Sequence, residues 1–362
     1  MKILTVVGAR PQFIKAAAVS RVLRRQHTEL LVHTGQHYDA NMSDIFFDEL
    51  DIPRPDYNLG VGSGTHGRQT AEILMKTEEV LLREKPDLLL VYGDTNSTLA
   101  GALAASKLLI PVAHIEAGLR SFNMDMPEEQ NRVLTDHISR WLFCPTQTAV
   151  KNLLVEGISG GVNVGDVMCD ALRFYRQAAL EKYRDTGASQ LQYLAEGGRS
   201  LSQGWYLATI HRAENTGDSA HLPAILEAFE QLPLPVIFPV HPRTKGIVSR
   251  LCAQGHYENI HFVEPVGYLH MLYLAARARK IITDSGGLQK EAYLLGVPCV
   301  TVREQTEWVE TLGGGWNVLA QPHAVDIVRK VTRVEADPSA RADYYGDGHA
   351  AEKILGQLSI EQ

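Results

Sequence analysis

The residues best suited to chemistry begin in the stretch Ile281 to Glu291, IITDSGGLQKE. An apolar strand ending at Thr283 runs into Asp284, Ser285, Gly286 and Gly287. A helical pattern follows at once through Leu288, Glu291, Ala292, Leu294 and Leu295. A strand, a tight glycine turn and a helix start aim backbone N–H groups outward at the positive end of the helix dipole, which suits a phosphate. Glu291, one turn into the helix, reads either as an acceptor for ribose hydroxyls or as an ordinary first-turn acid. At the other end of the chain, KILTVVGARPQFIKAA sets Gly8, Ala9 and Arg10 between a strand and a helix, with Pro11 in its first turn. Arg10 and Lys15 read as cations aimed at a pyrophosphate or an acidic cluster; the plainer reading is solvated surface charge. Two phosphate-type turns, one per half, predict a ligand held between two domains.

The candidate acids follow buried strands. YGDTNST ends a strand with Asp94, and HIEAGLRS ends the next with Glu116. Carboxylates at the carboxyl ends of adjacent parallel strands face the ligand crevice of such a sheet. Asp94 has a rival role as the cap of the following helix; Glu116 has none. PEEQNR adds Glu128 and Glu129 at a helix start, where a dipole-favoured acid is the plain reading for one of the two. Acids sharing one crevice raise one another's pKa values, as general acid–base work requires. No histidine or carboxylate stands at a recognisable metal-ligand spacing, so no metal is expected. In the second half, ATIHRAENTG ends a strand with His211 and Arg212, and PVHPRT ends another with His241 and Arg243. Together with the Ser285 turn they make a positive, donor-rich mouth. Neither half carries a GxGxxG fingerprint or a Walker A motif, which disfavours NAD and ATP hydrolysis.

These residues need a scaffold of alternating strands and helices. Strand patterns fall at Lys2–Val7, Leu30–His33, Leu88–Tyr92, Val112–Ile115 and Leu142–Cys144, with a short signal at Val162–Val164. Helices such as Gly67–Glu84 and Ser97–Leu108 lie between them. The alternation resumes at Trp205–Thr209, Pro235–Pro239, Ile260–Val263, Lys280–Thr283 and Cys299–Val302. Continuous apolar strands predict parallel sheets covered on both faces, an α/β fold of two doubly wound domains. The predicted bounds are residues 1–168, joined by a C-terminal helix at about 350–362, and residues 169–349. A chain of 362 residues agrees with two domains. The net charge of −7 argues against nucleic-acid or membrane-surface partners. The four cysteines have no CxxC spacing and read as buried thiols in a reducing compartment. Met1-Lys2 leads straight into a strand, with no signal-peptide pattern and no apolar run of about 20 residues, which predicts a cytoplasmic protein.

The ordered set VGARPQFIK, TGQHYD, YGDTNST, HIEAGLRS, PEEQNR, TIHRAEN, HPRT, EPVGY and DSGGLQKEA resembles the non-hydrolysing UDP-N-acetylglucosamine 2-epimerases, from Lys2 to about Gly315. The resemblance implies a glycosyltransferase-B-like fold of two Rossmann-like domains with the active site between them. It implies anti elimination of UDP to a 2-acetamidoglucal and re-addition after protonation on the opposite face of C2, with no redox cofactor. It also implies a homodimer. Carried over by motif, Asp94, Glu116 and Glu128 become catalytic carboxylates and His211 a catalytic or diphosphate-binding residue. Arg10 and Lys15 become active-site cations, and Ser285, Gly286, Gly287 and Glu291 UDP ligands. Met271 stands where an aromatic often covers the uracil, and Trp308 where many UDP-GlcNAc enzymes carry Arg-Pro. TGQHYDANMSD departs from the allosteric bacterial form. EQTEWVET is similar to the branch acting on UDP-2,3-diacetamido-2,3-dideoxy-glucuronate, a precursor for surface polysaccharide. The alternatives are a glycosyltransferase of the same fold, a hydrolysing epimerase and a non-catalytic nucleotide-sugar sensor.

Overall fold

The computed structural model describes residues 1–36, 50, 53–194, 200–217, 221–254, 257–306 and 308–360. The chain divides into two compact units. One comprises Met1–Phe174 with Asp343–Gln362, and the other Tyr175–Ala342. The division falls inside the helix Val167–Lys182, and the terminal helix Ala350–Ile360 packs on the helix Arg10–Leu23 of the first unit.

The first unit holds seven strands: β1 (Lys2–Val7), β2 (Thr28–His33), β3 (Tyr57–Asn58), β4 (Leu88–Tyr92), β5 (Val112–Ile115), β6 (Trp141–Cys144) and β7 (Gly161–Asn163). They form one sheet in the order β3-β2-β1-β4-β5-β6-β7, every pairing parallel. The run LLLVY of β4 is buried throughout because helices cover both faces. The helix Asn96–Lys107, rich in alanine, packs between the helices His66–Glu84 and Pro127–Ile138, where small side chains let neighbouring backbones approach. Helix His66–Glu84 stops at Lys85 in the left-handed region (φ 47°).

The second unit repeats the plan with β8 (Tyr206–Thr209), β9 (Val236–Pro239), β10 (Ile260–Val263), β11 (Ile281–Thr283), β12 (Cys299–Thr301) and β13 (Asn317–Leu319). Their order is β10-β9-β8-β11-β12-β13, again all parallel. Phe229, Phe238 and Phe262 pack edge to face and tilted within its core. Strand order reverses between β1 and β4 in one unit and between β8 and β11 in the other. Crevices for ligands open at such points, beyond the carboxyl ends of the strands.

Cys144 and Cys299 are buried free thiols and Cys169 is a half-buried one; the side chain of Cys252 lies outside the described ones. Among the described residues, no helix is long and apolar enough to cross a membrane.

Candidate active site

In the first unit the turns after β4, at the switch point, and after its neighbour β5 carry the acids. β4 ends at Tyr92 and continues through Gly93, in the left-handed region (φ 62°), to Asp94. Thr95, not Asp94, caps the helix Asn96–Lys107, its hydroxyl accepting from the Thr98 amide at 3.3 Å. That leaves the Asp94 carboxylate for Arg132 of helix Pro127–Ile138, whose Nε and Nη2 donate to Oδ2 at 3.0 and 2.7 Å. β5 ends at Ile115, and Glu116 follows with φ 72°. A side chain this large is rarely held in that region, and such strain collects at functional sites. The Glu116 side chain is 5% exposed and forms an ion pair with Lys15, from the second turn of helix Arg10–Leu23. A Cβ on Gly93 would stand 3.1 Å from Glu116 Oε2, so glycine leaves room for this pair.

Glu128 and Glu129 separate sharply. Glu128 is exposed on the first helical turn. Glu129 is 2% exposed; it accepts from the Ser121 and Phe122 amides at 3.0 and 2.8 Å and from Arg132 Nη1 at 2.6 Å. Burial pushes its carboxyl up, but these amides and the guanidinium outweigh it and hold the group below its ordinary value. Arg132 therefore ties Glu129 to Asp94, and the same two charges hold its own pKa above the usual range against the opposing pull of burial. The sequence leads one to expect acids near one ligand crevice. In the structure Asp94 pairs with Arg132, which it shares with Glu129, and Glu116 pairs with Lys15.

The Gly8 turn also differs from expectation. The amides of Gly8 and Ala9 donate to Gln12 Oε1 at 2.8 and 3.1 Å, and Gln12 Nε2 donates to Tyr92 O at 2.6 Å. A Cβ on Gly8 would meet Ser97 Oγ at 2.1 Å. Glycine is needed here for close packing of two turns, and the two amides that a phosphate would use are already taken. Arg10 opens the helix, with its side chain outside the described ones. Of TGQHYD, His37, Tyr38 and Asp39 lie outside the described residues.

In the second unit, Ser285 caps helix Gly286–Leu295, and Gly286 and Gly287 supply first-turn amides with no acceptor inside the helix. Asp284, fully buried, accepts from the amides of His211 at 3.1 Å and Arg212 at 2.9 Å and from Asn215 Nδ2 at 3.0 Å. It so fixes the loop after β8 beside the turn after β11. The His211 and His241 rings stack with centroids 5.4 Å apart. His211, Arg212, His241 and Ser285 thus gather at neighbouring strand ends; the side chain of Arg243 lies outside the described ones. Met271 is half-buried in the first turn of helix Tyr268–Arg277, and Glu291 is half-buried one turn into its helix. Gln12, Arg132 and Asp284 escaped sequence reading as site-building residues, although each is a polar residue within or beside a motif.

Two parallel, Rossmann-like sheets in one chain, with charged groups at the strand reversals, define an α/β protein of the glycosyltransferase-B-like class. The model of the UDP-N-acetylglucosamine 2-epimerase family matches residues 21–359. The chain belongs to that family. A UDP-2,3-diacetamido-2,3-dideoxy-D-glucuronate 2-epimerase of Pseudomonas aeruginosa is 50% identical over 99% of both chains. A UDP-N-acetylglucosamine 2-epimerase of Methanocaldococcus jannaschii is 43% identical, again over 99% of both. The crystal structure of the M. jannaschii UDP-GlcNAc 2-epimerase in complex with UDP-GlcNAc and UDP matches with a TM-score of 0.87 at 42% identity, covering 99% of this chain and 100% of that one.

Proposed function

We propose that this enzyme inverts C2 of a UDP-2-acetamido sugar by eliminating UDP across C1 and C2 and adding it back to the resulting glycal. The C2 proton is weakly acidic, so departure of the diphosphate leads and charge develops on the sugar ring and the leaving group. The amides of the Ser285–Gly287 turn, with His211, Arg212, His241, Arg243 and Arg10, receive the diphosphate. Asp94, Glu116 and Glu128 remove and return the C2 proton, and Lys15 holds Glu116. Glu291 meets the ribose and Met271 the uracil. The observation that carries this reading is Glu116, a buried carboxylate in the left-handed region, matched to one lysine and lying one strand away from the Asp94–Arg132 pair.

The substrate we favour is UDP-2,3-diacetamido-2,3-dideoxy-glucuronate over UDP-GlcNAc, in the service of surface polysaccharide. The form EQTEWVET and the 50% identity to the Pseudomonas relative support that choice. The reading includes a cytoplasmic homodimer, which light scattering on the purified protein checks. Incubation with each nucleotide sugar in D2O, followed by NMR, tests the whole. The reading expects the C2 epimer, deuterium at C2, bound-state return of UDP and faster turnover of the diacetamido substrate. Transfer to an acceptor without deuterium at C2 would favour a glycosyltransferase, UDP released in step with free sugar a hydrolysing epimerase, and no turnover a sensor.

A further inference from the structure

Behind the two carboxylate-bearing turns lies a chain of ionisable groups that the reaction does not consume. His114, in β5, is fully buried. Its Nδ1 stands 2.7 Å from Asp136 Oδ1 and its Nε2 2.7 Å from the carbonyl of Gly93. Both oxygens only accept, so hydrogen bonding is complete when each ring nitrogen donates. Asp136 Oδ2 accepts from the Gly118 amide at 3.1 Å and from Arg120 Nη1 at 2.7 Å. Arg120 in turn forks onto Glu156 through Nε and Nη2, both at 2.7 Å. Only Glu156 reaches solvent appreciably, its side chain 27% exposed. Burial pushes the Asp136 carboxyl up, and His114 and Arg120 overcome it to keep the group below its ordinary value.

The endpoints of this chain are the backbone groups that aim the acids. Gly93 directly precedes Asp94, and Gly118 follows Glu116 by two residues. Gly93, Glu116 and Gly118 all sit in the left-handed region, at φ 62°, 72° and 77°. The two glycines adopt this region freely, whereas Glu116 is strained there and keeps the conformation only because its surroundings over-determine it. We propose that His114, backed by Asp136, Arg120 and Glu156, is a positioning residue that locks the Gly93–Asp94 and Glu116–Gly118 turns together so that both carboxylates meet one sugar. The proposal rests on the catalytic reading of Asp94 and Glu116 given above.

The test compares His114→Asn with His114→Gln. The asparagine amide reaches Asp136 in place of Nδ1 and abandons the Gly93 carbonyl, whereas the glutamine amide reaches Gly93 in place of Nε2. A displacement of about 1 Å at a catalytic group lowers turnover roughly 100-fold. H114N is therefore expected to lose about that factor in kcat with KM unchanged, and H114Q to recover a large part of it. Equal kcat in H114N and wild type, or a loss in KM alone, overturns the proposal. If H114N does not fold, Arg120→Lys, which drops the fork onto Glu156, carries the same expectation of lowered kcat at constant KM. Asp94→Asn and Glu116→Gln run in the same assay: wild-type rates there defeat the catalytic reading and this inference with it. Low rates there beside an unaffected H114N defeat the inference alone.

Discussion

Replacing Arg132 by methionine removes the guanidinium from between two carboxylates and leaves a chain of similar length and apolar reach. The consequence is unequal for the two acids. Asp94 is 33% exposed, so water takes over much of its solvation and its share of the loss is about 0–1 kcal/mol. Glu129 is 2% exposed and keeps only the Ser121 and Phe122 amides. Stripping the partner from a buried charge costs about 3–5 kcal/mol, and the two surviving amides place Glu129 at the lower end. The Arg132→Met variant should therefore be less stable by about 3 kcal/mol near pH 7. In the wild type the folded Glu129 carboxyl lies below its unfolded value, so its stabilisation is full above the ordinary carboxylate range and is lost as pH falls through the folded value. Without Arg132 that carboxyl rises and takes up a proton readily. The gap between the two proteins should shrink to about 1 kcal/mol near pH 4. Urea titration by circular dichroism at both pH values measures the gap, with hydrogen exchange assigning the transition to the first unit. A gap below about 1 kcal/mol at neutral pH, or one that does not narrow on acidification, would refute the argument that Arg132 neutralises a buried Glu129.

Other outcomes follow from the same geometry. Asp94→Asn, Glu116→Gln and Glu128→Gln should each lower kcat about 100-fold or more with secondary structure retained; steady-state kinetics on folded protein would show otherwise. Gly118→Ala should destabilise the first unit severely, because the new Cβ would meet Ala149 O at 2.3 Å in a residue with φ 77°; a melting temperature equal to wild type would contradict this. Burial pushes the thiols of Cys144 and Cys299 up to about 12 and that of Cys169 up to about 11. These three should resist a thiolate-selective alkylating reagent near pH 8 until urea is added, as peptide mass mapping would reveal. Ser285→Ala should weaken UDP binding about tenfold while leaving the first unit's stability unchanged, a pattern calorimetry and exchange can separate.

The architecture was legible wherever burial imposes a run. LLLVY and VIFP are unbroken apolar strands, and VAHI is interrupted by His114 alone, because helices cover both faces, and a parallel sheet follows from that. β3 is two residues long and carries no run to detect. β13 and helix Ala324–Arg333 follow the Gly313–Gly315 turn, where the apolar signal shrinks to Asn317–Leu319. Asp94 and Glu116 stood out because acids rarely end a buried strand without purpose. Lys15 stood out as a cation beside the first turn, but its pairing with Glu116 did not, and Arg132 was not visible as a partner at all, since only the folded chain brings these distant helices near. Glu128 and Glu129 are adjacent, and helix phase against the Ser121–Phe122 loop decides which turns inward. The glycines of the two turns look alike on paper. In the structure Gln12 takes the amides at Gly8, whereas nothing inside helix Gly286–Leu295 can take those of its first turn.

Departure of UDP from C1 and its return during each inversion can be followed by positional isotope exchange. A nucleotide sugar carrying oxygen-18 in the bridge between C1 and the β-phosphate is incubated with the enzyme and read by phosphorus NMR. If UDP leaves and returns, the label spreads to the non-bridging β-phosphate oxygens as the epimer forms. Epimer that keeps all its label in the bridge would contradict that departure.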